Sequence, residues 1–160
     1  MSYHDPVSAY PIRPATLADL DALSRMFADL WPQSSKEAHG DEIRHILSGT
    51  AALTMPITIL VAESPDSQLI GFLEVDLRSH ADGCDPAHPV GYIEGWYVAH
   101  EYRQRGVGKT LVEAAEDWAR RYGCTEIASD AVIDNVGSQE AHQALGYEVV
   151  DRCVHYRKGL

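Results

Sequence analysis

At 160 residues, with 45% hydrophobic and 23% charged side chains, the chain is long enough to close one hydrophobic core. Its net charge of −11 argues against a nucleic-acid partner, which needs a basic face, and suits a small cationic substrate drawn to an acidic cleft. No apolar stretch approaches a membrane span, and three scattered cysteines, Cys84, Cys124 and Cys153, fit neither a disulfide framework nor a zinc site.

Residues 10–14 read as a first strand. Thr16 is a candidate N-cap with Asp19 at the capping-box position, and Leu20, Leu23, Phe27 and Leu30 mark a helical stripe that stops at Trp31-Pro32. A second helix is predicted over residues 38–47, closed by Ser48-Gly49. Residues 57–63 and 69–77 read as strands, and the polar turn 64–68 between them makes the pair an antiparallel hairpin. A surface loop over 79–89 leads into a β-rich run, 92–98. Tyr92, Glu94, Trp96 and Val98 share parity there, which points all four to one face.

A long helix follows Gly108, with Leu111, Ala115, Trp118 and Tyr122 at helical spacing and Val112 and Ala119 flanking the stripe. Residues 124–131 are the next strand candidate, 136–145 a short helix ended by Gly146, and 147–156 a final strand. The order β-α-α-β-β-β-α-β-α-β implies a mixed sheet flanked by helices. We expect one domain over 1–160, with 1–9 a flexible tail, and no metal. Met-Ser-Tyr-His-Asp-Pro lacks the basic and apolar regions of a signal peptide, so a cytoplasmic location is expected.

Arg103-Gln104-Arg105-Gly106-Val107-Gly108 joins the strand through Val98 to the long helix. Two glycines one residue apart let the backbone turn tightly and bring successive N–H groups near a ligand. The helix adds its unpaired N-terminal N–H groups and the positive end of its dipole. Arg103, Arg105 and Lys109 bring cations to the same corner, which makes it a candidate pyrophosphate cradle. It is neither GxxxxGK(S/T) nor GxGxxG, so neither a nucleoside triphosphate nor a dinucleotide is favoured.

The pattern (Arg/Gln)-x-x-Gly-x-(Gly/Ala), with Arg103, Gly106 and Gly108 in its defined places, resembles the acyl-CoA motif of the GCN5-related N-acetyltransferases (GNAT). Leu30-Trp31-Pro32, Gly83-Cys84-Asp85, Ile93-Glu94-Gly95 and residues 102–106 resemble, within that family, the aminoglycoside 6′-N-acetyltransferases. So do Ala128-Ser129-Asp130, Ser138-Gln139, residues 142–146 and Tyr156-Arg157-Lys158, all in the same order. The resemblance implies an α/β GNAT fold, a mixed central sheet of about six to seven strands flanked by about four helices. It also implies transfer of acetyl from acetyl-CoA to the 6′-amine of an aminoglycoside antibiotic by direct attack in a ternary complex, antibiotic resistance, and a homodimer.

By that resemblance Trp96, Tyr97 and Val98 pair with the pantetheine arm, and a backbone N–H near Val98 polarises the thioester carbonyl. The amides of Gln104, Arg105, Gly106, Val107, Gly108 and Lys109 hold the pyrophosphate beside Arg103. Asn135 matches a pantetheine contact, although Asp134-Asn135 also reads as plain turn chemistry. Aliphatic amines are mostly protonated at neutral pH, so the acceptor needs a base or a water relay. Glu94 is the leading candidate and Asp130 a comparable one, as base or as ligand for the ammonium. Trp31, Asp85 and Tyr92 join them as acceptor contacts, and Glu74 and Asp76 add charge from the hairpin.

Where many relatives carry a tyrosine as general acid, four residues before the glycine of Leu-Gly-(Phe/Tyr), this chain has His142. Histidine donates protons near neutral pH. A thiol also ionises easily enough to leave without a dedicated acid. Two alternatives remain: an acetyltransferase for a polyamine, peptide or other small amine, and a non-catalytic acyl-CoA-binding module.

Overall fold

The computed structural model describes residues 10–50 and 55–160, so the tail expected at 1–9 lies outside the described residues. One sheet runs β1 (Ile12–Pro14), β2 (Ile57–Glu63), β3 (Leu69–Arg78), β4 (Val90–Val98) and β5 (Ile127–Ser129), in that spatial order. The first four strands pair antiparallel and β5 joins β4 in parallel. The predicted hairpin of β2 and β3 is present.

Helices α1 (Leu20–Leu30) and α2 (Lys36–Ser48) cover one face of the sheet, where Leu23, Phe27 and Ile43 bury against Ile59, Val61 and Phe72. A short 3-10 turn, Leu17–Asp19, precedes α1, and the Asp19 carboxylate accepts the Thr16 N–H at 2.8 Å. Arg13 clamps the same carboxylate at 2.7 and 2.9 Å, which holds its pKa below the usual carboxylate range. Helix α2 starts two residues before its predicted beginning because Ser35 accepts the Ala38 N–H at 3.1 Å as its N-cap. It stops at Gly49, φ 70°.

Helix α3 (Val107–Arg121) packs on the opposite face through Leu111, Val112, Ala115, Trp118 and Ala119. Tyr122 drops out of the predicted stripe: it follows the helix, is about half exposed, and touches the Trp118 ring. Helix α4 (Val136–Ala144) follows β5.

Two expectations fail. The sheet has five strands among the described residues, and residues 147–156 form none; Val149, Val150, Val154 and Tyr156 stand exposed. The segment is β-rich in composition but lacks the period-2 alternation that fixes a strand's register. The second failure is on β4. Glu74 pairs with Gly95 but Val75 pairs with Ile93, so Glu94 is the extra residue of a β-bulge. The bulge resets the alternation: Tyr92 (opposite Asp76) faces α1 and α2, whereas Trp96 and Val98 pack with the α3 core. The four residues 92, 94, 96 and 98 therefore do not share a face.

Candidate active site

Strand β5 pairs only with Gly91, Tyr92 and Ile93. Beyond that point β4 and β5 part, and a fork opens with Glu94 on one prong and Asp130 just past the other.

On the α1 and α2 side of the fork, carboxyl groups gather. Arg78 lays its guanidinium over the Tyr92 ring, 3.4 Å from the centroid, and donates from Nε to Glu94 Oε1 at 3.1 Å. Asp76 lies across from Tyr92, its Oδ1 buried with no hydrogen-bond partner and 3.9 Å from Arg78 Nε. Burial, followed by the Glu94 charge, pushes the Asp76 carboxyl up to about 7. Glu74 is 6% exposed, and burial with the charges of Glu42, Glu94 and Asp76 raises it to about 8. Tyr92 rises to about 12 through burial and the Asp130 carboxylate.

Trp31 closes this side, its ring against Gly95 and edge-on to Phe27. Glu94 and Asp76 thus share one arginine while Glu74 is buried beside them, an excess of acid that a docking polycation would offset.

The raised Glu74 pKa has a measurable consequence. Between pH 4.5 and about 8 the folded chain keeps a proton that the unfolded chain releases, so stability falls as pH rises through that window. Glu74→Gln is expected to flatten this fall. Thermal midpoints of the two proteins across the window test it; equal slopes would remove Glu74 as its source.

The other side of the fork fits a phosphate-bearing ligand. Gly106 caps α3 at φ 83° with no side chain filling the cap, and Gln104 before it sits at φ 60°, so the first-turn N–H groups of α3 are left for an anion. A Cβ on Gly108 would lie 3.0 Å from Trp96 Cζ2, and Trp96 Nε1 is buried without a partner. That orphaned donor and the uncapped helix end are complementary to a polar, anionic chain laid along the strand. The cations are partly engaged already. Arg103 Nε donates to the Val98 carbonyl at 2.9 Å, Arg105 lies over the Tyr102 ring, and Lys109 faces Glu113 at 3.7 Å. Asn135 is exposed and caps α4, its Oδ1 accepting the Ser138 N–H at 3.0 Å.

His142 stands on α4, edge-on to Trp96 and to Tyr147. Its Nδ1 lies 2.7 Å from the Ser138 carbonyl and its Nε2 2.9 Å from Ser129 Oγ. Tyr147 donates to Glu116 at 3.2 Å, and burial with that carboxylate raises its pKa, so its proton is held away from the fork.

Of the predicted acceptor contacts, Tyr92, Glu94 and Asp130 meet at the fork, with Trp31 beside Gly95. Asp85 does not join them. Its Oδ1 accepts the Ala87 N–H at 2.9 Å and its backbone N–H goes to Glu126, before β5; among the described residues no hydrogen bond or ion pair links it to Glu94 or Asp130. Three residues entered the site unannounced in their contacts: Arg78, which holds Glu94, Ser129, which holds His142, and Glu42, which loads Glu74. The sequence signal for Ser129 was its place beside Asp130, on the opposite parity.

Residues 20–147 match the model of the Acetyltransferase (GNAT) family. The chain is 40% identical over 149 residues to an aminoglycoside N(6′)-acetyltransferase type 1 of Klebsiella aerogenes, spanning 93% of this chain and 96% of that protein. It is 35% identical over 153 residues to the enzyme of the same name from Stenotrophomonas maltophilia, spanning 96% and 95%. Among solved structures, the 6′-N-acetyltransferase AAC(6′)-Ih of Acinetobacter baumannii superposes with a TM-score of 0.83 at 32% identity, covering 94% of this chain and 99% of that one. AAC(6′)-Iy in complex with the bisubstrate analogue CoA-S-monomethyl-acetylneamine gives 0.84 at 34% identity, with the same coverage.

Proposed function

The chain belongs to the acetyltransferase (GNAT) family, and from that premise we propose that it transfers the acetyl group of acetyl-CoA to the 6′-amine of an aminoglycoside antibiotic, so conferring resistance. The observation that carries this reading is the fork itself: a carboxyl cluster on one side and an uncapped helix end with an orphaned indole donor on the other. The first suits a polycation and the second a polyanionic thioester, and they meet where β4 and β5 separate.

The N–H groups from Gln104 to Lys109 hold the pyrophosphate, and the free edge of Trp96, Tyr97 and Val98 takes the pantetheine arm, near Asn135. Acetyl-CoA supplies an activated acyl group. The protein supplies orientation and proton management. Glu94 and Asp130 receive the acceptor's ammonium and remove its first proton. Arg78 fixes Glu94 Oε1, which leaves Oε2 for the substrate. Trp31 and Tyr92 wall the sugar side.

A homodimer and a cytoplasmic location belong to the same reading. The exposed Val149, Val150, Val154 and Tyr156, on a segment with no strand partner among the described residues, support a second copy as the cover. No described helix is long and apolar enough to cross a membrane.

The test is CoA-thiol release from acetyl-CoA with tobramycin, and separately with paromomycin, which carries a 6′-hydroxyl. Rapid release with the 6′-amine alone is the expected result. Equal release with both would move the acetyl group to another amine, and release with neither would remove aminoglycosides as acceptors.

A further inference from the structure

The amine loses two protons in this reaction, one before attack and one as the bond to the acetyl carbon forms. The carboxyl cluster accounts for the first. The second must leave the attacking nitrogen, and two hydrogen-bonded side chains, Ser129 and His142, stand on the other face of the fork.

Ser129 is the last residue of β5 and pairs with Ile93, the last residue of β4 before the strands part. Its Oγ lies 2.9 Å from His142 Nε2, against 3.4 Å to the Ile93 carbonyl and 3.5 Å to its neighbour's, that of Asp130. The tautomer follows from the other ring nitrogen. A carbonyl oxygen only accepts, so the 2.7 Å contact between His142 Nδ1 and the Ser138 carbonyl puts the ring proton on Nδ1. Ser138 Oγ, at 3.4 Å from the same nitrogen, is the weaker contact. Nε2 therefore presents its lone pair, and the single Ser129 proton points into it. Trp96 and Tyr147 hold the imidazole edge-on, so the ring is fixed in plane. An imidazole in this state accepts a proton; it does not begin by giving one.

We propose that Ser129 is the proton-transfer residue of the acetyl transfer and that His142 acts through it, first as acceptor and then as donor. This rests on the reading of the fork as the acetyl-transfer site. As the nitrogen–carbon bond forms, Ser129 Oγ takes the proton shed by the nitrogen while its own proton passes to His142 Nε2. As the carbon–sulfur bond breaks, His142 Nε2 returns that proton to Ser129, whose own goes to the thiolate sulfur. Amine and thioester become amide and thiol, and both side chains end as they began. The relay fills the place left by the missing tyrosine without asking His142 to reach the sulfur.

Three measurements test it. In Ser129→Ala, kcat with tobramycin is expected to fall by about tenfold or more while KM for both substrates moves less than about twofold. Ser129→Thr, which keeps the hydroxyl, should recover most of the loss. The dependence of kcat on the deuterium fraction of the solvent should be bowed in the wild type, since two protons move together, and straight in Ser129→Ala. Nitrogen-15 NMR of the neutral histidine, with Ser129→Ala and His142→Gln to assign it, should report the proton on Nδ1.

An undiminished kcat in Ser129→Ala, or a proton on Nε2, overturns the relay even if the wild type acetylates tobramycin. A wild type that acetylates no amine overturns the underlying reading instead, and with it the relay.

Discussion

Glu94→Gln is expected to lower kcat/KM for a 6′-amino aminoglycoside at least about tenfold, with acetyl-CoA affinity nearly unchanged. The substitution keeps the shape of the side chain and an acceptor oxygen for Arg78, whose Nε now bonds Oε1 at 3.1 Å. What it removes is the charge that attracts an ammonium and the lone pair that deprotonates it. It also removes one of the negative charges that raise Asp76 and Glu74. Both neighbours should then ionise more readily and recover part of the electrostatic attraction, so the loss should be larger in kcat than in KM. Steady-state kinetics in both substrates, with a separate acetyl-CoA binding curve, would check this. A variant with near-normal turnover would remove Glu94 from catalysis, and a large fall in acetyl-CoA affinity would relocate it to the other side of the fork.

Gly95→Ala is expected to be the costliest single methyl in the site. Its Cβ would stand 2.8 Å from Trp31 Cζ2 and nearer still to Cη2, with Leu30 Cδ2 at 3.4 Å. The indole is held on its inner side. Phe27 meets it at 5.1 Å between centroids, Phe72 lies beyond, and His39 Nε2 donates to the Trp31 carbonyl at 3.0 Å. Overpacking of this kind costs ~1–3 kcal/mol, because a filled core yields only by straining rotamers or backbone. The same shift would carry Trp31 away from the acceptor side, so KM for the aminoglycoside should rise together with the loss of stability. Urea unfolding midpoints and KM for tobramycin measure the two effects. Unchanged stability would mean that the Trp31 ring moves freely, and its role as a fixed wall would fall with that result.

The order of elements was legible because each helix and strand carries its own period and its own stop: Trp31-Pro32, Ser48-Gly49, the turn 64–68 and the Gly106-Val107-Gly108 step all lie at element ends. The faces of β4 were not legible. Alternation assumes that every residue pairs, and nothing in Ile93-Glu94-Gly95 signals that Glu94 does not. Residues 147–156 are rich in β-branched and aromatic residues but do not alternate, and composition alone does not make a segment pair. Asp85 sits in a loop held by Glu126, a contact across the chain that the pattern around Asp85 does not announce. Glu94, Tyr92 and Asp130 were read correctly as neighbours. The relay was out of reach because a hydroxyl acquires its role only from a particular distance and a particular tautomer.

The bulge at Glu94 also bears on how such a chain can change over generations. Substitutions along β4 alter one side chain at a time, and each can be tested by selection on its own. Removing the codon for Glu94 would restore regular pairing and leave Tyr92 and Trp96 three positions apart, still on opposite faces, so that only the bulge and the carboxylate it carries would be lost. The register on either side is already that of a regular strand, so Tyr92 would keep its place beside Asp76 and Trp96 its place opposite Leu73. Lineages can therefore gain or lose this one residue without turning the strand over, and a comparison with an unbulged strand matches face to face only if it opens a one-residue gap at 94.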